Sequence, residues 1–378
     1  MSNDMIAGAA PFFPADDRLA LLPLIEEILR SGRLTQGPHL RAFEQCCAGM
    51  AGTSHALGVS SGGAALQLVL EALPVAGGEV IVPTQTFVAT PNSVARAGAT
   101  PVFVDVSGEN LAIDIVSLRR ALTRRTRAVI VVHMFGIMSR QLDEIQRICR
   151  DAGVFLIEDA AHAHGATHNG QSAGSLGAAA CFSYYATKIL AIGEGGAVTT
   201  NDERLAAAVA SLRDHGRASS GEQFDRAGNN FRLAEIPALL GTFQHHRLQE
   251  IIAHRRAIAA IYRRVFATMP TVVRVIDPEP RDGHVYWRYP VLLERSVDRR
   301  RVQIRMAEEA RCRVTWMYEP LCHQQPHYAA ANAAGSFPVA EDTIARLLNF
   351  PTHSGVALED AARIAETFGR IARSEVAA

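Results

Sequence analysis

Between Ala56 and Thr199 the chain alternates short apolar runs with amphipathic stretches. The runs are Ala56–Val59, Glu79–Val82, Pro101–Val106, Ala128–Val132, Val154–Ile157, Ala180–Tyr184 and Gly196–Thr199. Several are apolar at nearly every position, as in strands buried on both faces of a parallel sheet. The stretches between them space their apolar residues for helices, as in Leu66, Val69, Leu70 and Leu73, or Leu142, Ile145, Ile148 and Cys149. This pattern predicts an α/β fold with a mostly parallel central sheet covered by helices. After Arg232 the texture changes. Ala234 to Met269 reads as one or two long helices, with Pro237 in the first turn where its missing N–H costs little. Shorter strands (Val285–Leu293, Val314–Tyr318) and helices (Arg300–Cys312, Leu358–Ala372) follow. We expect a large α/β domain over residues 1–245 and a smaller α+β domain over 246–378, with the long helix able to bridge them.

Composition narrows the class. Nearly half of the 378 residues are hydrophobic, enough for a large core. Lys+Arg and Asp+Glu both number 38, so no basic excess points to nucleic acid. No apolar run is long enough to span a bilayer, and the N-terminus lacks the basic and apolar regions of a signal peptide. The six cysteines show neither C-x-x-C pairing nor zinc-ligand spacing, so no metal is expected and a reducing cytoplasmic setting is the simplest reading. One feature of the charge is unusual: Lys188 is the sole lysine, and Arg supplies every other fixed positive side chain. A single lysine in so Arg-biased a chain suggests chemistry a guanidinium cannot do, such as condensing with an aldehyde.

Four features fall where ends of successive strands should meet, the usual ligand edge of an open α/β sheet. Ser61-Gly62-Gly63 follows a strand and opens a helix, so its backbone N–H groups can approach a phosphate; it also reads as an ordinary turn. Asp159, in Glu158-Asp159-Ala160-Ala161-His162, can face a cationic ring nitrogen or serve as a helix cap. His162 is either a hydrogen-bonding partner of a bound ring or a core histidine. Ser183 and Lys188 lie in Phe182-Ser183-Tyr184-Tyr185-Ala186-Thr187-Lys188, before Gly193-Glu194-Gly195-Gly196; alone, Lys188 would read as a surface lysine. Phe87, in Pro83-Thr84-Gln85-Thr86-Phe87, can stack on a planar ring or pack in the core.

Taken in order, these features resemble the fold-type I pyridoxal-phosphate (PLP) enzymes, the aspartate aminotransferase superfamily. Within it they resemble the DegT/DnrJ/StrS-type sugar aminotransferases. Further matching stretches are Leu34-Thr35-Gln36-Gly37-Pro38, Phe43-Glu44, Thr86 through Thr90, Pro101 through Asp105, Arg213 with His215-Gly216, and Asn230-Phe231-Arg232. The resemblance implies that Lys188 carries pyridoxal 5'-phosphate as a Schiff base and moves the proton. It implies that Asp159 pairs with the pyridine nitrogen, Phe87 stacks on the ring, and Gly62, Gly63 and Ser183 hold the phosphate. His162 would sit near the ring oxygen. Asn230 would reach the phosphate of a neighbouring subunit, making a homodimer with shared sites the expected assembly. Asp105 and Arg232 match family positions, but strand-end and helix-cap roles explain them as well. Relatives that carry His in place of this lysine perform dehydration or similar chemistry, so the lysine favours transamination.

The implied reaction moves an amino group from an amino acid, L-glutamate being the expected donor, to a nucleotide-linked keto sugar. Two departures bear on this. Gly63 stands where the family often has Thr, removing one phosphate hydrogen bond. The segment Met317-Tyr318-Glu319-Pro320-Leu321-Cys322-His323 departs from the usual His-Tyr-x-Pro-Leu-His. Tyr318, Glu319 and His323 are the candidates for acceptor contacts. The altered segment keeps open a keto-cyclitol or other unactivated polyol ketone as acceptor, and a non-catalytic PLP-binding sensory protein is a reading of another class. A nicotinamide dehydrogenase lacks support, because no G-x-G-x-x-G follows the first strand.

Overall fold

The structure is a computed structural model that describes residues 5–218, 220–276, 283–330 and 335–376. Two helices lead in, α1 (Ala15–Ser31) and α2 (Pro38–Ala51). Next come β1 (His55–Val59), α3 (Gly62–Ala72), β2 (Glu79–Pro83), α4 (Ala89–Arg96), β3 (Thr100–Val104), α5 (Ile115–Ala121), β4 (Thr126–Val132), α6 (Leu142–Ala152) and β5 (Phe155–Asp159). A small hairpin, β6 (Thr167–His168) with β7 (Gln171–Ser172), precedes β8 (Ala179–Ser183), β9 (Gly196–Thr200) and α7 (Glu203–Leu212). The seven larger strands form one sheet in the order β1-β9-β8-β5-β4-β2-β3. Only β9 runs against its neighbours, so the carboxyl ends of the other six share one edge. All seven strands expected from the apolar runs are present, with ends shifted by one or two residues.

Beyond α7 the expected long helical stretch is two helices, α8 (Glu235–His246) and α9 (Leu248–Phe266), meeting at Arg247. A three-stranded antiparallel sheet follows, from β10 (Val273–Val275), β11 (Tyr289–Leu293) and β12 (Leu347–Phe350). Helices α10 (Arg299–Glu309), α11 (Pro326–Ala329), α12 (Pro338–Arg346) and α13 (Leu358–Val376) complete the chain. The first core surrounds the large sheet and takes in Leu248, Ile251 and Ile252 of α9; a second core takes Ile258, Tyr262 and Phe266 of the same helix. Leu321, Cys322, Phe337, Ala340 and Ile344 return to the first core.

Two expectations in this half fail. The strand expected over Val285–Leu293 begins only at Tyr289, because Tyr286 takes a left-handed φ of 47° that breaks the extended run. Val314–Tyr318 is irregular apart from one bridge from Thr315 to Asn349. Both segments are drawn to the large sheet's ligand edge instead. Among the described residues no helix is long and apolar enough to cross a membrane.

Buried carboxylates lock the frame. Asp105, just past β3, accepts N–H bonds from Val339 and Ala340 and so caps α12. Glu235, fully buried, accepts from the N–H groups of Gly37, His39 and Leu40 and caps α2. Arg232 pairs with Asp214, and Arg213 pairs with Glu44.

Candidate functional site

A cavity of about 460 Å³ opens at the carboxyl edge of the large sheet. It is lined by Ser61, Gly62 and Gly63 after β1, Thr86, Phe87 and Thr90 after β2, Val132 at the end of β4, Asp159 and His162 from β5, and Ser183 and Lys188 after β8. Trp287, Arg288, Met317 and Tyr318 close it from the second half of the chain. Gly62, Gly63, Phe87, Asp159, His162, Ser183, Lys188 and Tyr318 are thus brought together. Asn230, Glu319 and His323 are not among the lining residues. Asn230 is exposed. Glu319 pairs with Arg299 at 2.6 Å. His323 is held between the hydroxyl of Thr84 at 2.6 Å and Glu341 at 3.4 Å.

At one end, Ser61 caps α3 by accepting the Ala64 N–H at 3.0 Å. The amides before it have no partner within the helix, and they point out with the positive end of the helix dipole. Gly62 is required by close approach: a Cβ there would lie 2.7 Å from that of Ser183. At Gly63 a Cβ would meet nothing nearer than 3.8 Å. Gly62, Gly63 and the Ser183 hydroxyl therefore form a small cradle suited to a phosphate.

Successive carboxylates on β5 point to opposite faces. Glu158 turns away, accepting from His133 and the N–H groups of Gly174, Leu176 and Gly177, and is fully committed to structure. Asp159 turns into the cavity. Its Oδ2 accepts from the Thr90 hydroxyl at 2.8 Å and its Oδ1 from the Ala161 N–H at 3.2 Å. Having donated its one proton, Thr90 accepts from Thr86 at 3.0 Å. Burial raises the Asp159 pKa, opposed by the Thr90 and Ala161 hydrogen bonds and by the charge of Lys188. A cationic ring nitrogen would supply the counter-charge this carboxylate needs.

Lys188 lies with its Nζ 4.6 Å from the centre of the Trp287 ring. Burial lowers its pKa to about 8; Asp159 opposes that shift and Arg288 adds to it. With its pKa lowered to about 8, such an amine is neutral to roughly a tenth at pH 7, far more than an ordinary lysine, and the neutral form is the nucleophile toward an aldehyde.

The Trp287 wall has its own supports. The Trp287 N–H donates to the Phe135 carbonyl at 2.8 Å, and the Val285 N–H to that of Gly136 at 3.0 Å. The indole Nε1 donates to the Thr187 carbonyl at 2.5 Å, and the ring stacks on His162 at 3.8 Å between centres. The Phe135 N–H donates to His162 Nδ1 at 3.4 Å. Burial, then the charges of Lys188 and Arg288, hold His162 well below its usual pKa, so it is neutral. Phe87, also in the cavity lining, is 52 % exposed and tilts against Tyr318 at 5.1 Å. A half-exposed aromatic at a cavity mouth offers a face to a flat ligand.

Reading the sequence alone missed Thr90, Trp287 and Arg288. Thr90 stood inside a stretch noted only for resemblance. Trp287 and Arg288 stood inside an expected strand, and nothing in the local pattern signals that the chain loops inward there.

A family model described as the DegT/DnrJ/EryC1/StrS aminotransferase family matches residues 17–369. GDP-perosamine synthase of Caulobacter vibrioides is 34% identical over 95% of this chain and 96% of its own. A UDP-N-acetyl-3-dehydro-alpha-D-glucosamine 3-aminotransferase of Acidithiobacillus ferrooxidans is 35% identical over 97% of both. Among solved structures, DesV of S. venezuelae superposes with a TM-score of 0.89 at 32% identity, covering 96% of this chain and 98% of that one. With the matched span running across both cores and the ligand edge, this chain is an enzyme that belongs to the DegT/DnrJ/EryC1/StrS aminotransferase family.

Proposed function

We propose that this enzyme moves an amino group from an amino acid, L-glutamate being the expected donor, to a nucleotide-linked keto sugar, using pyridoxal 5'-phosphate. The observation that carries this reading is the position of the only lysine in the chain: Lys188 lines the same cavity as Asp159 and the Gly62-Gly63-Ser183 cradle. The acceptor class rests on relatives named for GDP- and UDP-linked sugars.

The residues fit the cofactor. Gly62, Gly63 and Ser183 would hold its phosphate, Asp159 the ring nitrogen, and Phe87 one ring face, while Lys188 would attach through its amine. His162 would stand near the ring oxygen. When bound, the cofactor supplies an aldehyde to carry the amino group and a ring that stabilises negative charge on the adjacent carbon. Asp159, short of a full counter-charge, keeps the ring nitrogen protonated. Thr90 and Thr86 fix the direction of its carboxylate. Once free of the cofactor, the Lys188 amine, its pKa lowered to about 8, takes and returns a proton at the reacting carbon. Trp287 restricts where that amine can swing and keeps water from it.

Exposed Asn230 would reach the phosphate end of a second copy's cavity, so the working unit is a homodimer. Residues 1–245 and 246–378 would be two domains with α9 shared between their cores. Six free thiols suit a reducing cytoplasm. A keto-cyclitol is the competing acceptor, favoured only by the apolar Met317 in the cavity wall.

The test has two stages. Purified protein should absorb as a lysine-bound cofactor, and L-glutamate should bleach that band. Nucleotide keto sugars and keto-cyclitols are then offered and amine products scored by mass. Turnover of cyclitols alone would replace the acceptor, and no turnover of any ketone would refute the reading.

A further inference from the structure

Deeply buried cations are normally matched by a carboxylate or by a full set of acceptors. Arg288 has neither. It is 5 % exposed and its Nε is buried without a partner. Among the described residues it makes no hydrogen bond or ion pair, and the contact it does have is the Trp287 ring, 4.8 Å from Cζ. Arg255, equally buried and likewise with its Nε unpartnered, differs at the end of its guanidinium: its Nη1 donates to the carbonyls of Tyr286 and Trp287 and to the Thr352 hydroxyl. Arg255 lies outside the cavity lining, while Arg288 is part of it. An unmatched guanidinium facing a cavity is a site waiting for an anion.

Position decides which anion. Lys188 and Arg288 share one indole, at 4.6 and 4.8 Å from its centre. The carbon that gives up the amino group must come to Lys188. In an amino acid the carboxylate is bonded to that carbon. In a nucleotide sugar the diphosphate is separated from the ketone by the sugar ring, and the cofactor's phosphate has its own cradle at Gly62, Gly63 and Ser183.

We propose that Arg288 binds the α-carboxylate of the amino donor, and so selects amino acids over plain amines. This rests on the aminotransferase reading above. A donor lacking the carboxylate leaves the guanidinium buried and unpaired, which is the penalty that rejects it.

The test separates the two half-reactions in the holoenzyme. Arg288→Gln should weaken apparent binding of both L-glutamate and L-alanine by about 100-fold, the loss of a charge-assisted pair. Amination of the ketone, started from enzyme loaded with pyridoxamine phosphate, should fall far less than the donor step, because Arg288 reaches it only through the field at Lys188. Loss confined to glutamate would assign its side-chain carboxylate and overturn the proposal. So would loss confined to the ketone step, or no loss at all. Should the variant fail to fold, the unaltered enzyme still decides. Propanoate should compete with glutamate and perturb tryptophan fluorescence, and propionamide should do neither; equal behaviour overturns the proposal. If unaltered enzyme reacts with no amino acid, the aminotransferase reading itself falls, and this inference with it.

Discussion

The two walls of the cavity are built by different means. The sheet wall, from Ser61–Gly63, Asp159, Ser183 and Lys188, hangs on strand ends fixed by hydrogen-bonded register: Gly196 lies opposite both Val59 and Ser183. The outer wall, from Trp287, Arg288, Met317 and Tyr318, hangs on irregular chain, tied by long-range bonds to Phe135, Gly136 and Thr187 and from Arg255 and Thr352. The difference teaches a division of labour. In the proposed reaction the rigid edge would carry groups whose geometry the chemistry cannot vary, and the outer wall would carry groups that meet the substrate.

Perturbing the sheet wall should hurt most. Lys188→Ala should lower amino transfer by at least about 10⁴-fold, since both the attachment point and the proton carrier go. Lys188→Arg should do no better, a guanidinium being unable to serve either role. Asp159→Asn should cost roughly 10²–10³ in kcat through lost stabilisation of the protonated ring. Thr90→Val, removing one bond to that carboxylate, should cost about 10-fold.

Next in size is a pH effect. The neutral amine of Lys188 is the reactive form, and its pKa is lowered to about 8. Cofactor capture by cofactor-free protein should therefore accelerate as pH rises and level off above about 8. Asp159 opposes the lowering, so Asp159→Asn should move the inflection to lower pH. A shift upward would show that the field at Lys188 is misassigned. Stopped-flow absorbance follows both.

The glycines sharpen the comparison within the rigid edge. Gly62→Ala, with its Cβ 2.7 Å from that of Ser183, should lower the melting temperature and weaken cofactor binding together. Gly63→Ala has room, and should leave melting of the cofactor-free protein unchanged while weakening cofactor binding only modestly. Smallest of all is Glu319→Gln. Its carboxylate is spent on Arg299, so acceptor KM should stay within about twofold, as for an exposed ion pair.

This division also governs how much was legible from sequence. Strand positions and the sheet wall were readable because apolar runs mark strands and each site residue sits a few positions beyond one. The outer wall was not. Val285–Leu293 looks like one strand, since its composition says nothing of the left-handed turn at Tyr286 or of the Phe135 carbonyl that draws Trp287 inward. The resemblance makes His323 a candidate acceptor contact, but the segment gives no sign that its ring lies between Thr84 and Glu341. Long-range partners of that kind leave no local trace.

The most direct test of the central claim is borohydride reduction of the native enzyme followed by peptide mass mapping. The account predicts a cofactor-sized mass added to the peptide containing Lys188, and none in Lys188→Ala. An adduct that persists in Lys188→Ala, or unaltered enzyme that transfers amino groups yet shows no adduct at Lys188, would contradict it.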